Sequence, residues 1–265
     1  MMLIDSHCHF DFAPFCDDPA QYLADARRVG VEKLVIPAVG VRNWAAVQAL
    51  SAQYDGVYFA LGLHPFFSAE HTPDDVTALA DALAADALLR AQLRSKCVAV
   101  GECGLDFAIA DANKDQQMAL LDAQLQLANQ YRLPVILHCR NAFPELVRLL
   151  RQHTPVAGGV YHAFSGSYPQ AKQLLDLGIN IGVGGTITYP RANKTRQTIA
   201  ALPLTALLLE TDAPDMPIAG YQGQPNRPDR LVHVLHELAA IRGESERDVE
   251  HVVTLTTAEL FGIPM

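Results

Sequence analysis

Histidines and carboxylates recur in this chain where short apolar runs stop: His7, His9, His64, Glu102, His138, His162 and Asp212. His7-x-His9 closes the run from Met1 to Ile4, and on an extended chain residues two apart face the same side. Two imidazoles do not complete a metal site, because zinc and similar ions take about four ligands, often nitrogen with carboxylate oxygen. The later run ends supply the remainder. Taken singly, each group reads as an ordinary polar residue, Glu102 capping a turn and Asp212 an N-cap before Pro214. Buried together on one face they would cost several kcal/mol, which a divalent cation offsets. The other histidines, His71, His153, His233, His236 and His251, fall in loops or helices, where a solvated imidazole is expected.

The elements that position these groups alternate along the whole sequence. Strands are predicted at 1–4, 33–39, 57–62, 97–101, 134–137, 159–161, 180–183 and 206–209. Helices are predicted over 19–29, 43–54, 74–94, 114–131, 143–152, 168–177 and 191–201, with two more after the polar loop 222–228. Asp17-Asp18-Pro19 supplies cap and first-turn chemistry for the first helix. Met118, Leu121, Leu125 and Ala128 set the apolar stripe of helix 114–131. Near-continuous apolar strands imply a parallel sheet covered on both faces. About eight βα units with no linker predict an α/β fold, a TIM-type (β/α)8 barrel, with 1–265 as one domain. A doubly wound open sheet is the alternative, but the chain has neither a Gly-rich dinucleotide fingerprint nor a P-loop. In a barrel of this kind the chemistry sits at the C-terminal strand ends, where the histidines and carboxylates fall.

Composition narrows the function classes. The formal net charge is −9 and half the residues are hydrophobic, with no basic tail or stripe of the sort that tracks duplex DNA. The five cysteines, Cys8, Cys16, Cys97, Cys103 and Cys139, form no C-x-x-C pair, which predicts free thiols in a reducing cytoplasm. Cys8, Cys103 and Cys139 adjoin candidate ligands, and alternation predicts that they point away as small buried hydrophobes. No signal-peptide pattern precedes Asp5 and no apolar run is long enough to span a membrane. No obligate protein partner or oligomer surface is evident, so a monomer is expected.

The motifs resemble, in order, those of the TatD-type metal-dependent hydrolases: His7-x-His9, Gly62-Leu63-His64-Pro65, Gly101-Glu102-Cys103-Gly104-Leu105-Asp106, His138-x-Arg140, His162-x-Phe164-Ser165-Gly166 and Glu210-Thr211-Asp212-Ala213-Pro214. The resemblance runs from Ile4 to Phe261. It implies an amidohydrolase-related barrel with two divalent metal cations, and DNase activity as in studied members. It further implies that His7, His9 and Asp212 hold one ion, that His138 and His162 hold the other, and that Glu102 bridges them. Mixed nitrogen and oxygen ligation suits Zn, Mn, Ni or Mg without choosing among them. The chain departs from the family pattern at Cys103 and at Thr257-Ala258-Glu259, while Asn226-Arg227-Pro228 keeps the general Asn-x-Pro form.

The expected chemistry is hydrolysis by water activated at a metal pair. Asp212 is expected as general base as well as ligand. His64, with no ligand role assigned, binds the scissile phosphate or protonates the leaving oxygen. Arg140 is a candidate phosphate fork, and Ser165-Gly166 a candidate anion contact at a helix start. The expected substrate is a DNA end or small phosphodiester; because the basic residues near the site are few (Arg140, Arg191, Lys194, Arg227), a short single-stranded end with shallow salt dependence fits better than duplex. The alternative is amidohydrolase-like cleavage of a small ester, lactone or amide, against which strand four offers Glu102 rather than a modified lysine. A silent metal-binding adaptor is a third possibility, disfavoured by the full ligand set and the spare His64.

Overall fold

The protein is described by a computed structural model covering residues 2–265. Eight strands form one parallel sheet in sequence order, alternating with helices in the (β/α)8 TIM-type arrangement. The strands are β1 Leu3–Asp5, β2 Val31–Pro37, β3 Val57–Leu61, β4 Cys97–Asp106, β5 Val135–Arg140, β6 Gly159–Tyr161, β7 Ile179–Val183 and β8 Leu207–Leu209. The helices are α1 Pro19–Arg28, α2 Val41–Gln53, α3 Pro73–Ala91, α4 Lys114–Tyr131, α5 Phe143–Gln152, α6 Tyr168–Leu175, α7 Asn193–Ala201, α8 Leu231–Arg242 and α9 Glu246–Phe261. Met1, part of the expected first strand, lies outside the described residues. Among the described residues no helix is long and apolar enough to cross a membrane, and the five cysteines are free.

Backbone packing groups the residues into two compact units. The first holds the chain up to Ile36, His162–Leu175 and Asn180–Met265. In it β1 pairs with β2 and β7 with β8, in parallel register Asp5↔Leu34 and Gly182↔Leu208. Leu3, Ile4, Leu34, Ile36, Leu208, Val234 and Leu235 are fully or almost fully buried, as both-faces coverage of a parallel strand requires. Asp18 caps α1 by accepting the Gln21 N–H at 3.2 Å, with Pro19 at the first helical position.

The second unit holds Pro37–Tyr161 and Asp176–Ile179. Here β4 differs from expectation, running five residues past Gly101 to Asp106. The added residues pair with β5, Gly104↔His138 and Asp106↔Arg140, so Glu102 and His138 stand within strands rather than after them. The polar letters hid a ladder whose partners lie on the neighbouring strand. Between Val100↔Val135 and Cys103↔Leu137 one extra residue sits on β4, a bulge that re-aims the side chains around Glu102. Gly104 is required beside it: its φ is +147°, and a Cβ there would lie 1.9 Å from the His138 carbonyl oxygen.

Candidate metal centre

In the first unit the chain after β1 stays extended and is held on both sides. Ser6 N–H donates to the Leu209 carbonyl at 3.0 Å, Cys8 to Val35 at 3.1 Å and His9 to Ala213 at 2.8 Å. Alternation then puts His7 and His9 on one side and Cys8 on the other, buried with its Sγ 3.7 Å from the Ala213 oxygen. The loop after β8 closes on the same point, Asp212 N–H donating to the His7 carbonyl at 2.9 Å. Asp212 itself adopts φ +56°, a left-handed conformation uncommon for a residue with a Cβ.

The three side chains converge. His7 Nε2 lies 3.4 Å from His9 Nε2 and 3.4 Å from Asp212 Oδ1, and His9 Nε2 lies 3.6 Å from the same oxygen. A tetrahedral ion with ligand bonds of about 2.1 Å has ligand–ligand edges of about 3.4 Å. The donor set thus has the chemistry and the spacing of one face of such a site. His162 stacks on His7, ring centroids 4.1 Å apart, and His7, His162 and Asp212 also group as a candidate ion-holding set.

Behind these groups stand two further buried carboxylates that sequence reading gave no role. Asp5 accepts Thr211 Oγ1–H at 2.6 Å, Thr211 N–H at 3.0 Å and His7 N–H at 3.3 Å, tying β1 to the β8 loop. Burial still pushes its carboxyl up to about 7, outweighing those three hydrogen bonds. Glu210 accepts Ala163 N–H at 2.5 Å and lies 3.9 Å from His162 Nδ1. Burial, with the Asp212 and Asp5 charges adding to it, pushes its carboxyl up to about 8 against the pull of His162. Asn226, buried in the loop before α8, donates to the Thr211 and Met216 carbonyls at 2.8 and 3.2 Å and pins the Asp212 segment from the far side.

In the second unit Glu102 is fully buried, and one of its oxygens faces two imidazoles: His64 Nε2 at 3.0 Å and His138 Nδ1 at 3.2 Å. These three form another candidate ion-holding group. The two histidines are presented differently. His138 turns its second nitrogen, Nε2, onto Asp106 Oδ2 at 3.0 Å, the carboxylate–histidine arrangement that fixes a ligand's tautomer. Although burial acts to raise it, the Asp106 carboxyl is held below the usual range by its hydrogen bond to His138, the His138 charge, the Ala108 N–H and Arg140. His64 instead accepts the Phe66 N–H at Nδ1, 2.9 Å away. Its ring proton therefore sits on Nε2, the nitrogen that faces Glu102. A nitrogen carrying a proton donates a hydrogen bond and does not ligate a metal.

Arg140, 60% exposed, reaches Asp106 at 3.4 Å. Ser165 is exposed and joins no hydrogen bond among the described residues. The N–H of Ser167 at the adjoining helix start is taken by Gln170 Oε1 at 2.9 Å.

Sequence reading missed a set of buried polar groups in this unit. Gln124 accepts the Leu63 N–H at 2.8 Å and donates to the Leu63 carbonyl at 3.1 Å. Gln117 does the same for Asp106, at 2.7 and 3.1 Å. Both are fully buried on α4, seven residues apart and so on one face. A glutamine pair at that spacing inside an apolar stripe was the available signal. His71, expected to be solvated, is 8% exposed; it sits against Gly40 and its Nε2–H donates to the His64 carbonyl at 3.1 Å. Burial pushes its pKa down. Nothing in its sequence neighbourhood marked it.

The model of the family described as TatD related DNase matches residues 4–262. An uncharacterized metal-dependent hydrolase of Escherichia coli K12, YjjV, is 47% identical over 98% of both chains. Its crystal structure, described as a TatD homolog, superposes with a TM-score of 0.93 at 46% identity, covering 99% of this chain and 98% of that one. A Klebsiella pneumoniae protein named 3'-5' ssDNA/RNA exonuclease TatD is 31% identical over 98% of both chains.

Proposed function

The chain belongs to the TatD related DNase family and is a metal-dependent hydrolase; from that premise we propose that it cleaves phosphodiester bonds at the end of a single-stranded nucleic acid. The observation that carries the metal chemistry is the convergence of His7 Nε2, His9 Nε2 and Asp212 Oδ1 at tetrahedral edge lengths. The name of the Klebsiella relative supports the substrate class. The free cysteines fit a reducing cytoplasm.

By the resemblance of the motifs, His7, His9 and Asp212 would hold one divalent ion, and Glu102 and His138 would offer donors to a second. When bound, divalent ions lower the pKa of water and polarise a phosphoryl oxygen. The protein's own groups do the rest. Asp212, its side chain 13% exposed, accepts the proton of the attacking water. His64 presents Nε2–H as a hydrogen-bond donor to a scissile phosphate oxygen. Asp106 holds the His138 ring for its ion, and Asp5 holds the His7 and Asp212 backbones together through Thr211. Arg140, at the exposed end of β5, supplies a cation to the phosphate chain.

Initial rates on bis(p-nitrophenyl) phosphate, a lactone and an aryl amide test the reaction class. Metal-dependent turnover of the phosphate diester alone is expected. Turnover of lactone or amide with an inert phosphodiester would replace this reading with small-molecule hydrolysis.

A further inference from the structure

Four residues beyond Asp212 the chain enters the wall of a cavity of about 560 Å³, lined by Thr186, Tyr189, Arg191, Ala192, Met216 and Pro217. Every lining residue belongs to the first unit. The size is within the usual range for a small-molecule site.

The wall is built, not incidental. After β7 the backbone turns through a short 3-10 helix, Gly185–Thr188. Gly185 runs so close to the β8 loop that a Cβ would lie 2.8 Å from the Met216 oxygen. Tyr189 Oη donates to the Pro217 carbonyl at 2.6 Å, which fixes the ring, and Ala219 N–H donates to Thr188 Oγ1 at 2.9 Å. Asn226 bonds Met216 and Thr211 together, so the cavity wall and the Asp212 segment are held by one side chain.

The charge is as telling as the shape. Elsewhere in this unit Arg196 pairs with Glu237, Arg227 with Asp25 and Asp229, and Arg242 with Glu244. Arg191 is exposed and has no carboxylate partner among the described residues; its guanidinium lies 5.4 Å from the centre of the Tyr189 ring. In a chain of net charge −9 this cation stands beside an aromatic ring and the side chains of Met216 and Pro217, which follow Asp212 in the chain by four and five residues.

We propose that this cavity binds the nucleotide adjoining the scissile bond, its base against Tyr189, Met216 and Pro217 and its phosphate on Arg191. The proposal rests on the nuclease reading above and extends it to a subsite. Stacking on one aromatic ring is indifferent to base identity, because every base has a π-face. It requires an unstacked base, so the cavity selects single strands over duplex.

The test is anisotropy of a fluorescein-labelled single-stranded tetranucleotide titrated with the full chain, a chelator preventing cleavage. Arg191→Ala is expected to raise Kd about fivefold or more and to flatten the slope of log Kd against log salt by about 0.7, one phosphate contact. Tyr189→Ala is expected to raise Kd by about fivefold or more with the slope kept, and Tyr189→Phe to stay within about twofold of wild type. Arg151→Ala, outside the cavity, serves as control. Unchanged Kd and slope in Arg191→Ala and Tyr189→Ala, or no saturable binding by wild type, overturns the proposal. Cleavage of the same oligonucleotide by the metal-loaded wild type separates the two readings. Arg191-dependent binding without cleavage removes the nuclease and leaves the cavity, whereas cleavage with Arg191-indifferent binding does the reverse.

Discussion

His138 Nε2 lies 3.0 Å from Asp106 Oδ2, while Nδ1 of the same ring lies 3.2 Å from Glu102 Oε1. One imidazole is thus gripped from behind and presented in front. A buried carboxylate in that rear position sets the ring's tautomer and raises its basicity toward an ion. Asp106→Asn keeps the shape and removes the charge. Metal affinity, read by competition with a chromogenic chelator, is expected to fall about 10–100-fold. An unchanged affinity would show that Asp106 serves folding alone.

His64 is the mirror case, its Nδ1 occupied by the Phe66 N–H at 2.9 Å. His64→Ala is expected to slow turnover about 10²–10³-fold, the usual span for a lost hydrogen-bond donor to developing charge, with metal content unchanged by elemental analysis. Loss of an ion in this variant would make His64 a ligand and contradict the tautomer argument.

Gln124→Leu strips the buried Leu63 N–H and C=O of their partners, one residue before His64. Each orphaned buried backbone group costs about 1–3 kcal/mol, so urea unfolding is expected to show a loss of about 2 kcal/mol or more. Gln126→Leu, at an exposed residue whose amide donates to Asp122, is expected to stay within about 0.5 kcal/mol. Equal stability in the two variants would contradict the anchoring role of α4.

Asp5 and Glu210 give the metal-free protein a characteristic pH response. Their folded carboxyls are raised to about 7 and about 8, above the unfolded range near 4. The folded state therefore binds more protons than the unfolded one, so stability is highest below about pH 4 from these groups and is lost as pH rises through about 7 to 8. Chelated protein is expected to melt at progressively lower temperature across that window, and added divalent cation to restore Tm at pH 8 by binding the folded state. A Tm of chelated protein that rises over the same window would contradict the assignment of these two carboxyls.

How much of this was legible follows from where each signal resides. Helices α4 and α5 and strand β6 begin and end where apolar periodicity places them, at 114–131, 143–152 and 159–161. The histidines and carboxylates grouped in each unit are those that close apolar runs. What escaped was written in partners rather than in letters. The polar end of β4 is a strand only because β5 pairs with it. His71 packs into room that Gly40, lacking a Cβ, leaves for its ring. Asp5, two residues before His7 and therefore on its side of the chain, could have been found by alternation alone.

The most direct test is release of mononucleotides from end-labelled single-stranded DNA in Mg²⁺ or Mn²⁺, wild type against Asp212→Ala. Metal-dependent release by wild type, abolished in the variant, is the expected result. Equal release by both proteins would take the base role from Asp212, and no release by wild type with its metals bound would contradict the nuclease itself.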